Sequence, residues 1–156
     1  MSSTTDIDDY DRKILRALQE NADYSMAELG EKVGLSHTPC WRRIKRLEAD
    51  GIIRSRVTLL DPNKLDLSVS LLAQVNMSRH DEATRQAFEQ AVLEIREIIE
   101  CYSISGDNDY VLKITVKSVS QYEQLLKNTL LNLPGVASIS SDFALKQVKY
   151  TTQLPI

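Results

Sequence analysis

Residues 36–51, SHTPCWRRIKRLEADG, place four basic side chains in the five positions 42–46 and close on a glycine. Wound at the helical period, the stretch sets Cys40, Ile44 and Leu47 on one stripe with Trp41 at its edge, and Thr38, Arg42, Lys45, Arg46 and Ala49 on the opposite stripe. One stripe packs and the other is basic. Ser36 has the chemistry of an N-cap, Pro39 falls in the first turn where its missing N–H costs nothing, and Gly51 is placed to end the helix. Charge pattern alone leaves two uses for the basic stripe open, a solvated face or an anion-binding one.

The flanking sequence narrows that choice. After a short disordered leader, Ile7, Ile14, Leu15 and Leu18 make a helical stripe from about Asp8 to Glu20, with acidic residues in the first turn. Asn21-Ala22-Asp23 reads as a turn. Ser25 with Glu28 three residues on is a capping box, and Met26, Leu29 and Val33 give a two-turn helix stopped by Gly34. A short helix, a Gly-Leu turn and the basic helix make a helix-turn-helix, in which the second helix lies in the DNA major groove and must present donors to bases and phosphates. Beyond Gly51, Ile52–Leu60 reads as a strand with Arg54 and Arg56 on one side, either a wing that touches phosphates or a linker.

Charge distribution agrees with a nucleic-acid partner despite a net charge of −3. Residues 1–35 hold four basic and eight acidic side chains, residues 36–60 six and two, and residues 61–156 nine and twelve, so the positive charge is confined to one short segment. No apolar run approaches the roughly 20 residues needed to span a bilayer, and the opening MSSTTDIDDYD is unlike a signal peptide, so a cytoplasmic location, with no membrane partner, is expected. Cys40 and Cys101 read as small apolar residues, with neither a disulfide nor a metal implied.

Asp61-Pro62-Asn63 is a turn signal that marks a domain boundary, and the texture changes after it. Val69–Met77 alternates as a strand, Phe88, Ala91, Val92 and Ile95 stripe a helix beginning near Asp81, and strands follow from about Ile98 to Ser105 and from Tyr110 to Val116. Gly106-Asp107-Asn108-Asp109 between them has the chemistry of a tight hairpin. Tyr122, Leu125, Leu126, Thr129, Leu130 and Leu133 line a further helix closed by Pro134-Gly135, and Val136 to about Val148 gives the last strand. The order βαββαβ predicts a ferredoxin-like layer, two helices over one face of an antiparallel sheet. The open face would carry Leu72, Tyr102 and Ile104, apolar enough to call for a second copy of the chain. The fold class expected is therefore α+β, a winged helix-turn-helix domain followed by a ferredoxin-like domain, with residues 1–53 binding DNA, 54–67 as a linker strand and hinge, and 68–156 as a second domain.

From residues 6–150 the chain resembles the Lrp/AsnC, or feast/famine, transcriptional regulators of bacteria and archaea. The resemblance rests on Ile7-Asp8-Asp9-Tyr10-Asp11-Arg12-Lys13-Ile14-Leu15, Val33-Gly34-Leu35-Ser36-His37-Thr38-Pro39-Cys40, Arg46-Leu47-Glu48-Ala49-Asp50-Gly51-Ile52-Ile53, Ser105-Gly106-Asp107-Asn108-Asp109-Tyr110 and Leu133-Pro134-Gly135-Val136. His37, where the family often has Pro, and Trp41, where a smaller apolar residue is usual, depart from the pattern and bear on operator sequence. The resemblance implies a ligand-sensing, dimerising second domain of the RAM type, dimers that associate further into tetramers of dimers, and a small-molecule effector, commonly an amino acid, held between dimers around the hairpin. Carried over, that site comprises Tyr102, Gly106, Asp107, Asp109 and Tyr110; the alternative is that the hairpin is only a good turn. Apolar surroundings favour leucine or methionine, because an unpaired buried charge is costly.

Two other classes stand beside this reading. One is an architectural DNA-binding protein without an effector; the other is a small enzyme with Glu100, Asp107 and Asp109 as an acidic metal site, for which no nucleophile motif or phosphate loop speaks. The DNA-binding residues expected are Ser36, Thr38, Pro39, Trp41, Arg42, Arg43, Lys45 and Arg46, with Arg54 and Arg56 on phosphates. On this pattern Arg42→Ala and Arg46→Ala, both off the packing stripe, should leave folding intact and each weaken operator binding by about 1–3 kcal/mol in a gel-shift titration.

Overall fold

The computed structural model describes residues 6–156, so most of the leader lies outside the described residues. The chain divides into two compact units, Met1–Leu59 together with Lys149–Ile156, and Leu60–Val148.

In the first unit three helices form, α1 (Asp9–Glu20), α2 (Met26–Val33) and α3 (His37–Ala49). α1 starts in a capping box between Asp8 and Asp11, and α2 in the expected one between Ser25 and Glu28. The core consists of Ile14, Leu15 and Ala17 of α1, Leu29 and Val33 of α2, and Cys40, Ile44 and Leu47 of α3. The stripe expected of the basic helix is therefore the buried one. Chain 149–156 returns to α1: Gln19 donates to the Leu154 carbonyl at 3.3 Å and accepts from its N–H at 2.5 Å, Arg16 Nε donates to the Ile156 carbonyl at 2.5 Å, and Ile156 packs against the helical core. This end segment thus belongs structurally with the helices and not with the sheet.

The expected strand over Ile52–Leu60 is absent. Ile52 and Ile53 tie back to the Leu47 carbonyl at 3.0 Å each, and the chain from Arg54 to Leu60 runs exposed with no ladder. A β-prone sequence becomes a strand only when another strand accepts its hydrogen bonds, and a single copy supplies none here.

The second unit is the predicted βαββαβ layer. Strands β1 (Val69–Met77), β2 (Ile98–Ser103), β3 (Tyr110–Val116) and β4 (Val136–Phe143) form one antiparallel sheet in the order β2-β3-β1-β4, with helices α4 (Glu82–Leu93) and α5 (Val119–Asn128) following β1 and β3. Leu71, Ala73, Val75 and Met77 alternate with Leu112, Ile114 and Val116 on the helix-covered face, where Phe88, Val92, Tyr122 and Leu130 pack. Strand β4 is shorter than expected, because β1 begins at Val69 and offers no partner beyond the Ala144 N–H to Ser70 carbonyl bond at 2.9 Å.

The other face is less apolar than the sequence suggests. Leu72 and Tyr102 are 48% and 56% exposed, but polar side chains surround them. Lys113 and the Tyr102 hydroxyl both donate to Glu100 at 2.7 Å, Gln74 bridges to Asp142 at 3.0 Å, and Asn76 donates to Ser138 at 3.4 Å. The Lys113 ammonium, and then the Tyr102 hydroxyl, hold the Glu100 carboxyl below its ordinary value. Ile104 lies just past the end of β2.

Candidate nucleic-acid interface and effector hairpin

The α2–α3 turn is shaped by two glycines. Gly34 ends α2 in the left-handed region at φ 75°, and Leu35 N–H closes on the Gly30 carbonyl at 2.9 Å. A Cβ on Gly30 would stand 2.6 Å from the Leu35 carbonyl oxygen, so any side chain there would push the two helices apart. Ser36 caps α3 through its backbone, and its hydroxyl makes no capping bond. Ser36, Thr38, Pro39, Trp41, Arg42 and Lys45 are all exposed, opposite the packed Cys40, Ile44 and Leu47. With its basic outer stripe the helix can face an anionic surface.

Not all of its cations are on that surface. Asp11 of α1 has no exposure to solvent, and its carboxylate accepts from Arg43 at 2.8 Å, from Arg46, and from the Asp8 N–H at 3.1 Å. Arg43 also reaches Asp8 at 2.6 Å and lies over the Tyr10 ring, 5.6 Å from its centroid. The Asp11 N–H, and then the Arg43 guanidinium, hold the Asp8 carboxyl below its usual range. Its stabilising effect is therefore complete above its ordinary value of 3.8 and is lost as pH falls through the lowered one. Lys45 pairs with Glu48 at 2.8 Å and Arg56 with the same carboxylate at 3.3 Å. Among the described residues Arg42 and Arg54 make no ion pair. Arg46 is 45% exposed, as the outer stripe requires, but it is also bound to the buried Asp11 carboxylate, so Arg46→Ala is expected to cost stability where the sequence led one to expect intact folding.

In the second unit, residues 104–109 join β2 to β3 in a loop longer than a two-residue turn, with Gly106 at φ 134°. Asp109 anchors it. One carboxylate oxygen accepts the Met77 N–H at 2.7 Å, the other meets His80 Nε2 at 3.0 Å, and the Asp109 N–H donates to the Val75 carbonyl at 3.0 Å. Asn108 donates to Gln74 at 2.7 Å, whereas Asp107 is exposed and in no ion pair among the described residues.

The two tyrosines expected beside the hairpin lie on opposite faces of the sheet. Tyr102 pairs across the ladder with Val111 and is exposed on the open face. Tyr110 is buried under α4 against Phe88, ring centroids 4.6 Å apart, and its hydroxyl donates to Glu89 at 2.7 Å. Burial, and then the bond to Glu89, push the Tyr110 phenol up to about 12. Tyr110 also lines a cavity of about 290 Å³ between α4 and β2, with Glu89, Gln90, Val92, Leu93, Cys101 and Ser103. The acidic trio Glu100, Asp107 and Asp109 does not converge, and no group of three metal-ligating side chains occurs among the described residues.

Residues 7–54 match the sequence pattern of winged helix-turn-helix DNA-binding domains, and residues 70–154 that of the Lrp/AsnC ligand-binding domain. The chain belongs to the Lrp/AsnC family. It is a DNA-binding transcriptional regulator carrying that family's ligand-binding domain, and its relatives are regulators, not enzymes. Among these, the glutamate uptake regulatory protein of Zymomonas mobilis is 44% identical over 96% of this chain and 91% of its own length. The leucine-responsive regulatory protein of Escherichia coli is 40% identical over 97% and 92%. Of solved structures, a transcriptional regulator of Neisseria meningitidis in complex with L-methionine superposes with a TM-score of 0.91 at 36% identity, covering 96% of this chain and 97% of that one. An AsnC family regulator from Agrobacterium tumefaciens gives 0.90 at 43%, covering 95% and 96%.

Within this Lrp/AsnC chain, sequence reasoning missed Asp8, Asp11, Glu89 and His80. The spacing of Asp8 and Asp11 was a visible capping signal, but nothing local reveals that their carboxylates meet arginines 32 and 35 residues away. The geometry separates two aspartates that the sequence treats alike. Asp109→Ala leaves the Met77 N–H without its acceptor and should cost about 1–3 kcal/mol in urea denaturation, whereas Asp107→Ala should stay within about 0.5 kcal/mol.

Proposed function

We propose that the protein regulates transcription in the bacterial cytosol by binding pseudo-palindromic operators as a dimer and by changing its assembly when a medium-sized apolar amino acid binds. The observation that carries the DNA half is the exposure of Ser36, Thr38, Trp41, Arg42 and Lys45 on the side of α3 opposite its packed stripe. Two such helices, roughly 34 Å apart in a dimer, reach successive major grooves on one side of the duplex. Arg42 and Lys45 then contact bases or phosphates, Thr38 and Pro39 lie at the helix entry, and Arg54 and Arg56 approach phosphates from the segment beyond. The expected loss of about 1–3 kcal/mol is kept for Arg42→Ala.

A second copy is called for by two features of the single chain, the half-exposed Leu72 and Tyr102 on the uncovered sheet face and the unpaired segment 54–60. Dimers associating further, as tetramers of dimers, would place the hairpins of neighbouring dimers together. Light scattering at micromolar concentration should give a multiple of 17.7 kDa, and a monomer would overturn this part of the reading.

For the effector, the hairpin offers backbone N–H groups around Gly106 to a carboxylate and one aspartate to an ammonium. Asp109 is committed to Met77 and His80, so Asp107 is the aspartate that takes the ammonium. Tyr102 and Ile104 supply apolar surface, and Tyr110 supports the site from beneath the sheet. Methionine or leucine fits these surroundings, and the L-methionine complex of the Neisseria relative favours methionine. Calorimetry of leucine, methionine, asparagine and lysine should show an apolar amino acid binding best, with at least tenfold loss in Asp107→Ala. Best binding by lysine would refute the selectivity argument, and an unaffected Asp107→Ala would refute the role of Asp107.

A further inference from the structure

The segment that first marks the chain as a nucleic-acid binder does not offer all of its positive charge. We propose that Asp11 is a positioning residue for the DNA contact: it holds Arg43 and Arg46 of α3 against α1, withholding two cations from DNA phosphates and lowering affinity for DNA of arbitrary sequence. The inference rests on the reading that α3 faces DNA.

The Asp11 carboxylate is fully buried and takes three donors, the Arg43 and Arg46 guanidinium groups and the Asp8 N–H. Asp8 holds Arg43 a second time at 2.6 Å. Two carboxylates and two guanidinium groups make a neutral cluster. A phosphate that drew Arg46 away would leave buried negative charge short of a partner, which a solvated phosphate contact does not offset. Lys45 and Glu48 differ on the side of the acid: Arg46 and Lys45 are comparably exposed at 45% and 55%, but the Glu48 side chain is 32% exposed, so water can replace Lys45, whereas water does not reach the buried Asp11 to replace an arginine.

The consequence is electrostatic. Binding to arbitrary DNA is driven by counterion release, about 0.9 in the slope of log K against log salt for each phosphate neutralised. A guanidinium already paired with a carboxylate of the protein contributes little to that slope. Two arginines withheld reduce it by about 1.8, lowering the sequence-independent affinity while leaving base contacts alone.

The experiment is fluorescence anisotropy of the full chain on a random-sequence duplex across a salt series, with folding checked by circular dichroism. Arg43→Gln and Arg46→Gln should keep the wild-type slope, while Arg42→Gln should flatten it by about 0.9. Asp11→Asn, freeing the arginines, should steepen the slope by about 0.9–1.8 and raise affinity for random DNA several-fold. A change of stability alone does not alter the slope of the folded protein. If Arg43→Gln or Arg46→Gln flattens the slope as Arg42→Gln does, the arginines contact phosphates and the proposal is overturned. Should Asp11→Asn fail to fold, the two arginine variants decide the matter. If instead Arg42→Gln also leaves the slope unmoved, the placement of α3 on DNA is wrong, and the proposal falls with it.

Discussion

A carboxylate cut off from water must be paired, and in this protein the pairing of Asp11 joins the first helix to the basic helix α3. Its partners on α3, Arg43 and Arg46, stand beside the apolar residues that pack Ile44 and Leu47 into the core. Apolar contact alone is non-directional and would tolerate small rotations of α3 about its axis. Guanidinium groups on a buried carboxylate are directional and resist them. The outward direction of Arg42 and Lys45 therefore depends on neighbouring arginines that are tied back to α1.

The sheet unit solves a similar problem with a different carboxylate. The β2–β3 loop is long enough to move, yet Asp109 ties its end to the backbone of β1 through the Met77 N–H and the Val75 carbonyl. That leaves Gly106 and Asp107 on the outer part of the loop, held on a fixed base. The uncovered sheet face combines Leu72 and Tyr102 with the Glu100–Lys113 pair, so its apolar side chains stand beside fixed charge.

The elements themselves were legible in the sequence. Caps at Ser25 and Ser36, the stop at Gly34, period-two alternation in Val69–Met77 and helical stripes around Phe88 and Tyr122 are local signals, and the elements formed close to where they placed them, except that the helix expected to run on to Pro134 ends at Asn128, with a separate 3-10 turn over Leu130–Asn132. The order βαββαβ then leaves few ways to bury those stripes. The exceptions were segments whose state depends on a distant partner. Ile52–Leu60 carries strand chemistry without a strand to pair with, and the chain beyond Phe143 outruns β1.

The candidate sites were legible as residue types in the right segments, and less so as arrangements. Sequence by itself determined that α3 has one packing stripe and that the hairpin carries a glycine and two aspartates, because helical periodicity and turn chemistry are set by neighbours in the chain. Only tertiary structure decided which arginines are spent on Asp11, which aspartate anchors the loop, and that Tyr102 and Tyr110 face opposite ways. Those outcomes depend on strand register and on charges brought together from 32 and 35 residues apart, and such distances close only when the core does.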